Sequence, residues 1–146
     1  MPRFSPSEYR PATAIPDGVY VARVCSAKVK IAQTGAEQLR LRLRLPDQQE
    51  LSATLTFCTA ATPVISAFCR SAELICESGT QVELTPTDVM GRYIYIVVRN
   101  EGGTLDSDPE PRVVRFLTRA QALAKNPAIA NTQLQSQQPR KLRVCA

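Results

Sequence analysis

Residues 39–45 read Leu-Arg-Leu-Arg-Leu-Arg-Leu, and only a two-residue period places Leu39, Leu41, Leu43 and Leu45 on one side of the chain and Arg40, Arg42 and Arg44 on the other. On a helix the arginines would fan round the cylinder. The stretch therefore predicts a half-buried β-strand, and a strand of this kind needs paired neighbours and an apolar layer beneath it. Pro46-Asp47 ends it. Leu51, Ala53, Leu55 and Phe57 then alternate with Ser52, Thr54, Thr56 and Cys58, which predicts a second strand and a hairpin.

The flanking sequence extends this pattern. Residues 1–16 hold Pro2, Pro6, Pro11 and Pro16 without an apolar period and read as an extended arm. Asp17-Gly18 opens a β-prone run from Val19 to Ile31, one long strand or a bent one, closed by a turn at residues 33–36. Thr62-Pro63 is a helix start, with the threonine placed to cap. Val64, Phe68, Ala72 and Ile75 supply an apolar stripe that ends before Gly79. Thr85-Pro86-Thr87-Asp88 reads as a turn. In residues 92–99, Ile94, Ile96 and Val98 face inward, and Tyr93, Tyr95, Val97 and Arg99 make an outward row too apolar for a plain solvated face. Residues 112–117 form a last strand. A short helical stretch, 119–125, leads into an Asn/Gln-rich basic end. The expected domains are an arm (1–16), a β-barrel domain (17–118) and a mobile basic tail (119–146).

A chain of 146 residues, 44% hydrophobic and 21% charged, suits one soluble domain that needs no disulfide or metal to hold its core. Cys25, Cys58, Cys69, Cys76 and Cys145 form no C-x-x-C pair and no histidine is present, so they read as reduced, packing thiols of a cytoplasmic protein. Neither a secretory h-region nor a run long enough to span a bilayer appears. The net charge of +5 is uneven: +3 over residues 1–50, −5 over 51–111 and +7 over 112–146. This balance favours polyanion partners, nucleic acid first.

Three strands, a helix and two strands is the order of the OB-fold, a five-stranded antiparallel, partly open barrel whose second and third strands often carry oligonucleotides. Residues 17 to about 101 also resemble a phage-type family of OB-fold proteins. The elements that carry the resemblance are Gly18-Val-Tyr20, Thr34-Gly35, the leucine-rich Leu39 to Leu45, the helix from Thr62 to Leu74, and the step Asp88-Val-Met-Gly91-Arg92. The resemblance implies single-stranded-DNA binding in phage replication or recombination. The general layout is similar to bacterial single-stranded-DNA-binding proteins, but the acidic tip they carry has no counterpart in the basic end here, which sets aside recruitment of repair enzymes through it.

The expected site follows from position and chemistry. Arg40, Arg42 and Arg44 meet phosphates, Tyr93 and Tyr95 stack on bases, and Lys28, Lys30, Arg92 and Arg99 flank them. Each assignment has a plainer counterpart. The arginine row also serves as a solubilising or aggregation-guarding face. The tyrosines also suit packing against the helix, the arm or a second subunit. The rival class is a protein-binding or assembly module built on the Tyr93/Tyr95 face, including self-association into a homo-oligomer. No nucleophile motif or phosphate-cradling loop is present, so an enzyme is not expected, nor any cofactor. Asp106, Asp108 and Glu110 sit in an acidic loop typical of solvated turns, so no metal is expected either.

Overall fold

A computed structural model describes residues 15–58, 61–76, 82–102, 110–131 and 137–144. The protein is mainly β. Five long strands, β1 (Gly18–Ile31), β2 (Glu37–Arg44), β3 (Glu50–Thr56), β6 (Tyr93–Glu101) and β7 (Glu110–Leu117), form one antiparallel sheet in the order β3-β2-β1-β6-β7. Between β3 and β6 lie helix α1 (Thr62–Ser71), the two-residue strands β4 (Leu74–Ile75) and β5 (Val82–Glu83), and helix α2 (Pro86–Val89). The expected barrel is an open sheet: β3 and β7 lie against each other, but no ladder joins them among the described residues.

The leucine-arginine alternation works as expected. Leu39, Leu41, Leu43 and Leu45 are buried, and Leu43 stands opposite Val24 on one side and Leu51 on the other, so three strands contribute to one apolar layer. Ile94, Ile96 and Val98 extend that layer on β6. Helix α1 closes it from below with Phe68, fully buried, whose ring meets Phe116 edge-on at 5.2 Å between centroids. The helix stops earlier than its stripe implied. Glu73 takes a left-handed φ of 58° and Arg70 and Phe68 carbonyls are closed off at the cap, so Ile75 leaves on β4, exposed, and Val64 also faces out. Thr62 is the first helical residue rather than the cap, which falls on Ala61.

The step from residue 88 to residue 92 is a joint. Asp88 Oδ2 accepts from the Thr85 amide at 3.0 Å and its hydroxyl at 2.7 Å, making the expected turn a capped single-turn helix. Gly91 turns the chain at φ +79°, a conformation that favours glycine, and donates to the Val24 carbonyl at 2.7 Å. Arg92 then reaches back to the carbonyls that end α1, donating to Ala72 at 2.7 and 3.0 Å and to Glu73 at 3.2 Å.

Both chain ends differ from loose termini where they are described. Ile15, assigned above to the arm, is buried, its carbonyl accepts from Asn100 Nδ2 at 2.9 Å, and Pro16 accepts from the Tyr20 hydroxyl at 2.6 Å; residues 1–14 lie outside the described residues. Past Thr118 the chain carries helix α3 (Arg119–Lys125), a 3-10 turn (Pro127–Asn131), and strands β8 (Arg140–Lys141) and β9 (Arg143–Val144), which pair with β4 and β5. Thr118 and Gln121 cap α3 reciprocally, a local signal that composition does not register. Leu142 packs into the main core. Among the described residues no helix is long and apolar enough to cross a membrane.

Two substitutions test this account. Leu43→Ala should remove about 2–5 kcal/mol of stability, and Gly91→Ala about 1–2 kcal/mol through its left-handed backbone. Both are read as a lower denaturation midpoint at unchanged slope.

Candidate nucleic-acid interface

Residues directly opposite in antiparallel strands share a face, so the registers define the outer surface of β1, β2 and β3 rung by rung. Lys30, Gln38 and Thr56 form one rung, Lys28, Arg40 and Thr54 the next, then Ser26, Arg42 and Ser52. The last is Arg23, Arg44 and Glu50, continued onto β6 by Tyr93. The surface thus has a cationic centre on β2, lysines and an arginine on β1, and a margin of hydroxyls on β3.

A bulge makes this arrangement. Arg23 is an odd position and Ser26, Lys28 and Lys30 are even, so an unbroken strand would split them between the two faces. The register slips between Val24 and Ser26, and Cys25 is the extra residue, its thiol donating to the Arg42 carbonyl at 3.2 Å. Sequence reasoning missed Arg23, Ser26, Ser52 and Thr54 as members of this face. The alternation of β3 carries a signal for the last two; nothing in β1 marks the slip.

The charges are unevenly matched. Glu50 accepts from Arg44 at 3.2 Å and lies 3.8 Å from Arg42 Nε, both pairs solvent-exposed. Arg40, Lys28 and Lys30 have no carboxylate partner among the described residues. Lys28 stands directly across from Arg40, and like charges in that position are unfavourable. A shallow groove of about 570 Å³ runs over this surface between Lys28, Lys30, Arg40 and Arg42 and the margin Ser52 and Thr54.

The remaining expected site residues divide. Tyr95 points away from the main core, as expected, but into a second one: with Val21, Leu117, Ala122 and Ile129 it is buried under α3, at 4% exposure. A ring so covered presents no face to a base. Tyr93 packs at the rim of the same cluster and stays half-buried, on the rung of Arg23 and Arg44. At the end of β7, whose last residue Leu117 stands opposite Tyr95, Ser71 Oγ accepts from the Tyr95 amide at 2.8 Å and donates to its carbonyl, and beyond it the Gln137 side-chain amide does the same for Tyr93. Arg92 is engaged at the end of α1, and burial lowers its pKa. Arg99 is exposed but lies on β6 opposite Arg112, next to the Glu101–Glu110 rung and away from the arginine row.

Among the described residues no group of three metal-ligating side chains comes together; Asp106 and Asp108 lie outside them. No known protein family matches the sequence, and no curated protein matches it either.

Burial, ahead of nearby charges, raises the Tyr95 phenol above its ordinary 10.0. The folded protein therefore holds that proton more tightly than the unfolded chain. The associated stability is full below pH 10 and lost as pH rises through the folded value. Unfolding titrations should show wild-type stability falling more steeply above pH 10 than that of Tyr95→Phe. Burial and the neighbouring Cys76 push the Cys69 thiol up to about 12, so a thiol reagent at neutral pH should label exposed Cys58 long before Cys69, as mass spectrometry of digested protein would show.

Proposed function

We propose that the protein binds single-stranded nucleic acid across the outer face of β1, β2 and β3, in replication or recombination, as the phage-type resemblance implies. The observation that carries this reading is the Lys28–Arg40 rung with Arg42 beside it: adjacent cations held opposite one another, with a margin of hydroxyls and too few carboxylates to neutralise them. An anion seated among them relieves the repulsion and releases the counterions of both partners. Arginines two residues apart on β2 recur about every 6.8 Å, which suits a repeating polyanion better than a single small anion. Ser52 and Thr54 add hydrogen-bond donors at the edge, and Lys30, Arg23 and Arg44 extend the charge.

The sheet order supports an OB-like reading. With β6 and β7 as its fourth and fifth strands, and α1 between the third and fourth, joining β3 to β7 would produce the cyclic strand order of such a barrel. The face described here would then be the second- and third-strand surface through which that fold commonly meets oligonucleotides. Of the expected stacking residues, Tyr93 keeps this part, at one end of the face; Tyr95 and Arg92 serve the fold. The assembly reading built on Tyr93 and Tyr95 loses Tyr95, which packs with Ala122 of the chain's own α3, and keeps only the half-buried Tyr93.

Fluorescence anisotropy with labelled oligo-dT provides the test. Binding should be tight at low salt and fall steeply with added salt. The triple variant Arg40→Ala/Arg42→Ala/Arg44→Ala should bind at least roughly tenfold more weakly, with a log–log salt slope shallower by about two, from about 0.7 per lost phosphate contact. No binding at low salt, or a triple variant that binds like wild type, refutes the proposal.

A further inference from the structure

Beside the cationic groove lies a second, of different chemistry. The line where β3 and β7 meet without pairing holds a cleft of about 400 Å³, and both grooves are lined by Ser52, Ala53 and Thr54, so they adjoin along β3. The walls of this seam mix apolar side chains, Val64 from α1, Pro111, Val113 and Val114 from β7 and Phe116 at its base, with the hydroxyls of Ser52 and Thr54 on β3. Val64 and Val114 are 49% and 41% exposed, large apolar side chains facing outward from a helix and a strand that both have buried faces available. Val114 faces out for a specific reason. The β6–β7 register slips between Val97 and Val98, pairing them with Arg115 and Val113, so Val114 is the unpaired residue of a bulge. Charge at the seam is confined to its β7 rim, where Glu110 and Arg112 stand.

We infer that the β3–β7 seam receives nucleobases of a strand whose phosphates lie on Arg40 and Arg42. This inference rests on the function proposed above. A nucleic-acid strand has a charged edge and an apolar one, and the two adjoining grooves separate the same two chemistries across the width of β3. The phosphates are drawn to the β2 side, where the cations outnumber the carboxylates, whereas the far rim sets Glu110 against Arg112 and offers no net positive charge. The bases, turned toward β7, cover Val64, Val114 and Pro111 with flat apolar faces. The seam gives the protein a means of gripping bases that Tyr95, buried under α3, does not provide. Bases paired in a duplex are turned inward and do not reach it, so the seam selects single strands.

The experiment compares oligo-dT with an abasic oligomer of the same length, which keeps every phosphate and lacks every base, on the full chain. Wild type should bind oligo-dT roughly five- to tenfold more tightly than the abasic strand, the scale of covering about 40–55 Å² of apolar surface. Val64→Ser/Val114→Ser should lose that preference while its affinity for the abasic strand and its salt slope stay at wild-type values. Val64→Thr/Val114→Thr, which keeps the β-branched side-chain shape at both positions, should reproduce the loss with an unchanged thermal midpoint. Equal wild-type affinity for the two oligomers, or a preference that survives both double variants, overturns the seam as a base site and leaves the phosphate face standing. Failure of both oligomers to bind at low salt overturns the phosphate face and the seam with it.

Discussion

Burial of Leu39, Leu41 and Leu43 against Val24, Leu51 and Leu55 anchors everything else in this molecule. With a side-chain period of two, hiding the leucines leaves no freedom in where the arginines go. A one-residue slip of β2 would put three guanidinium groups into a layer formed by Val24, Leu51, Leu55 and other apolar side chains, so the register is held by the cost of burying charge as well as by the gain of burying leucine. The positions of β1 and β3 follow, and with them the rungs that set Lys28 opposite Arg40 and Ser52 opposite Arg42.

The sheet has two working faces at its other end. On β6 the inward residues Ile94, Ile96 and Val98 meet α1, and the outward residues Tyr93, Tyr95 and Val97 meet α3. A strand apolar on both sides needs cover on both sides. The C-terminal segment provides it, and Ser71 and Gln137 complete the hydrogen bonds of β6 where β7 falls short. The division of labour across the sheet is clear: β1 to β3 leave their outer face open and charged, and β1 with β6 closes its own.

Much of the fold was legible because its signals are local. The alternation of β2 and β3, the inward row of β6 and the helical stretch at 119–125 are short-range patterns, and each appears where the residues put it. Tyr95 and Arg92 were misjudged for one shared reason. Their partners, Ala122 and Ile129 for one and the Ala72 and Glu73 carbonyls for the other, lie about 20 or more residues away, and no local pattern announces which distant surface a side chain will meet. The Asp88 to Arg92 step illustrates this: it reads as a motif, yet each polar or turn residue in it has a mechanical role, in a cap, a turn and the closure of α1. The charged row of the candidate site could be read directly; its neighbours on β1 could not, because their facing depends on an irregularity.

That irregularity has a wider consequence. Cys25 acts as a phase shift in the two-residue code: upstream of it odd positions face out, downstream even ones do. Within this stretch the spacing of residues therefore carries more information than their identity. Cys25 can be exchanged for any residue that tolerates the slip, whereas gaining or losing one residue between Arg23 and Lys28 would exchange the inner and outer sets on one arm of the strand and separate Arg23 from the lysines. The facing of this strand depends on that count before it depends on the residue that occupies the slip.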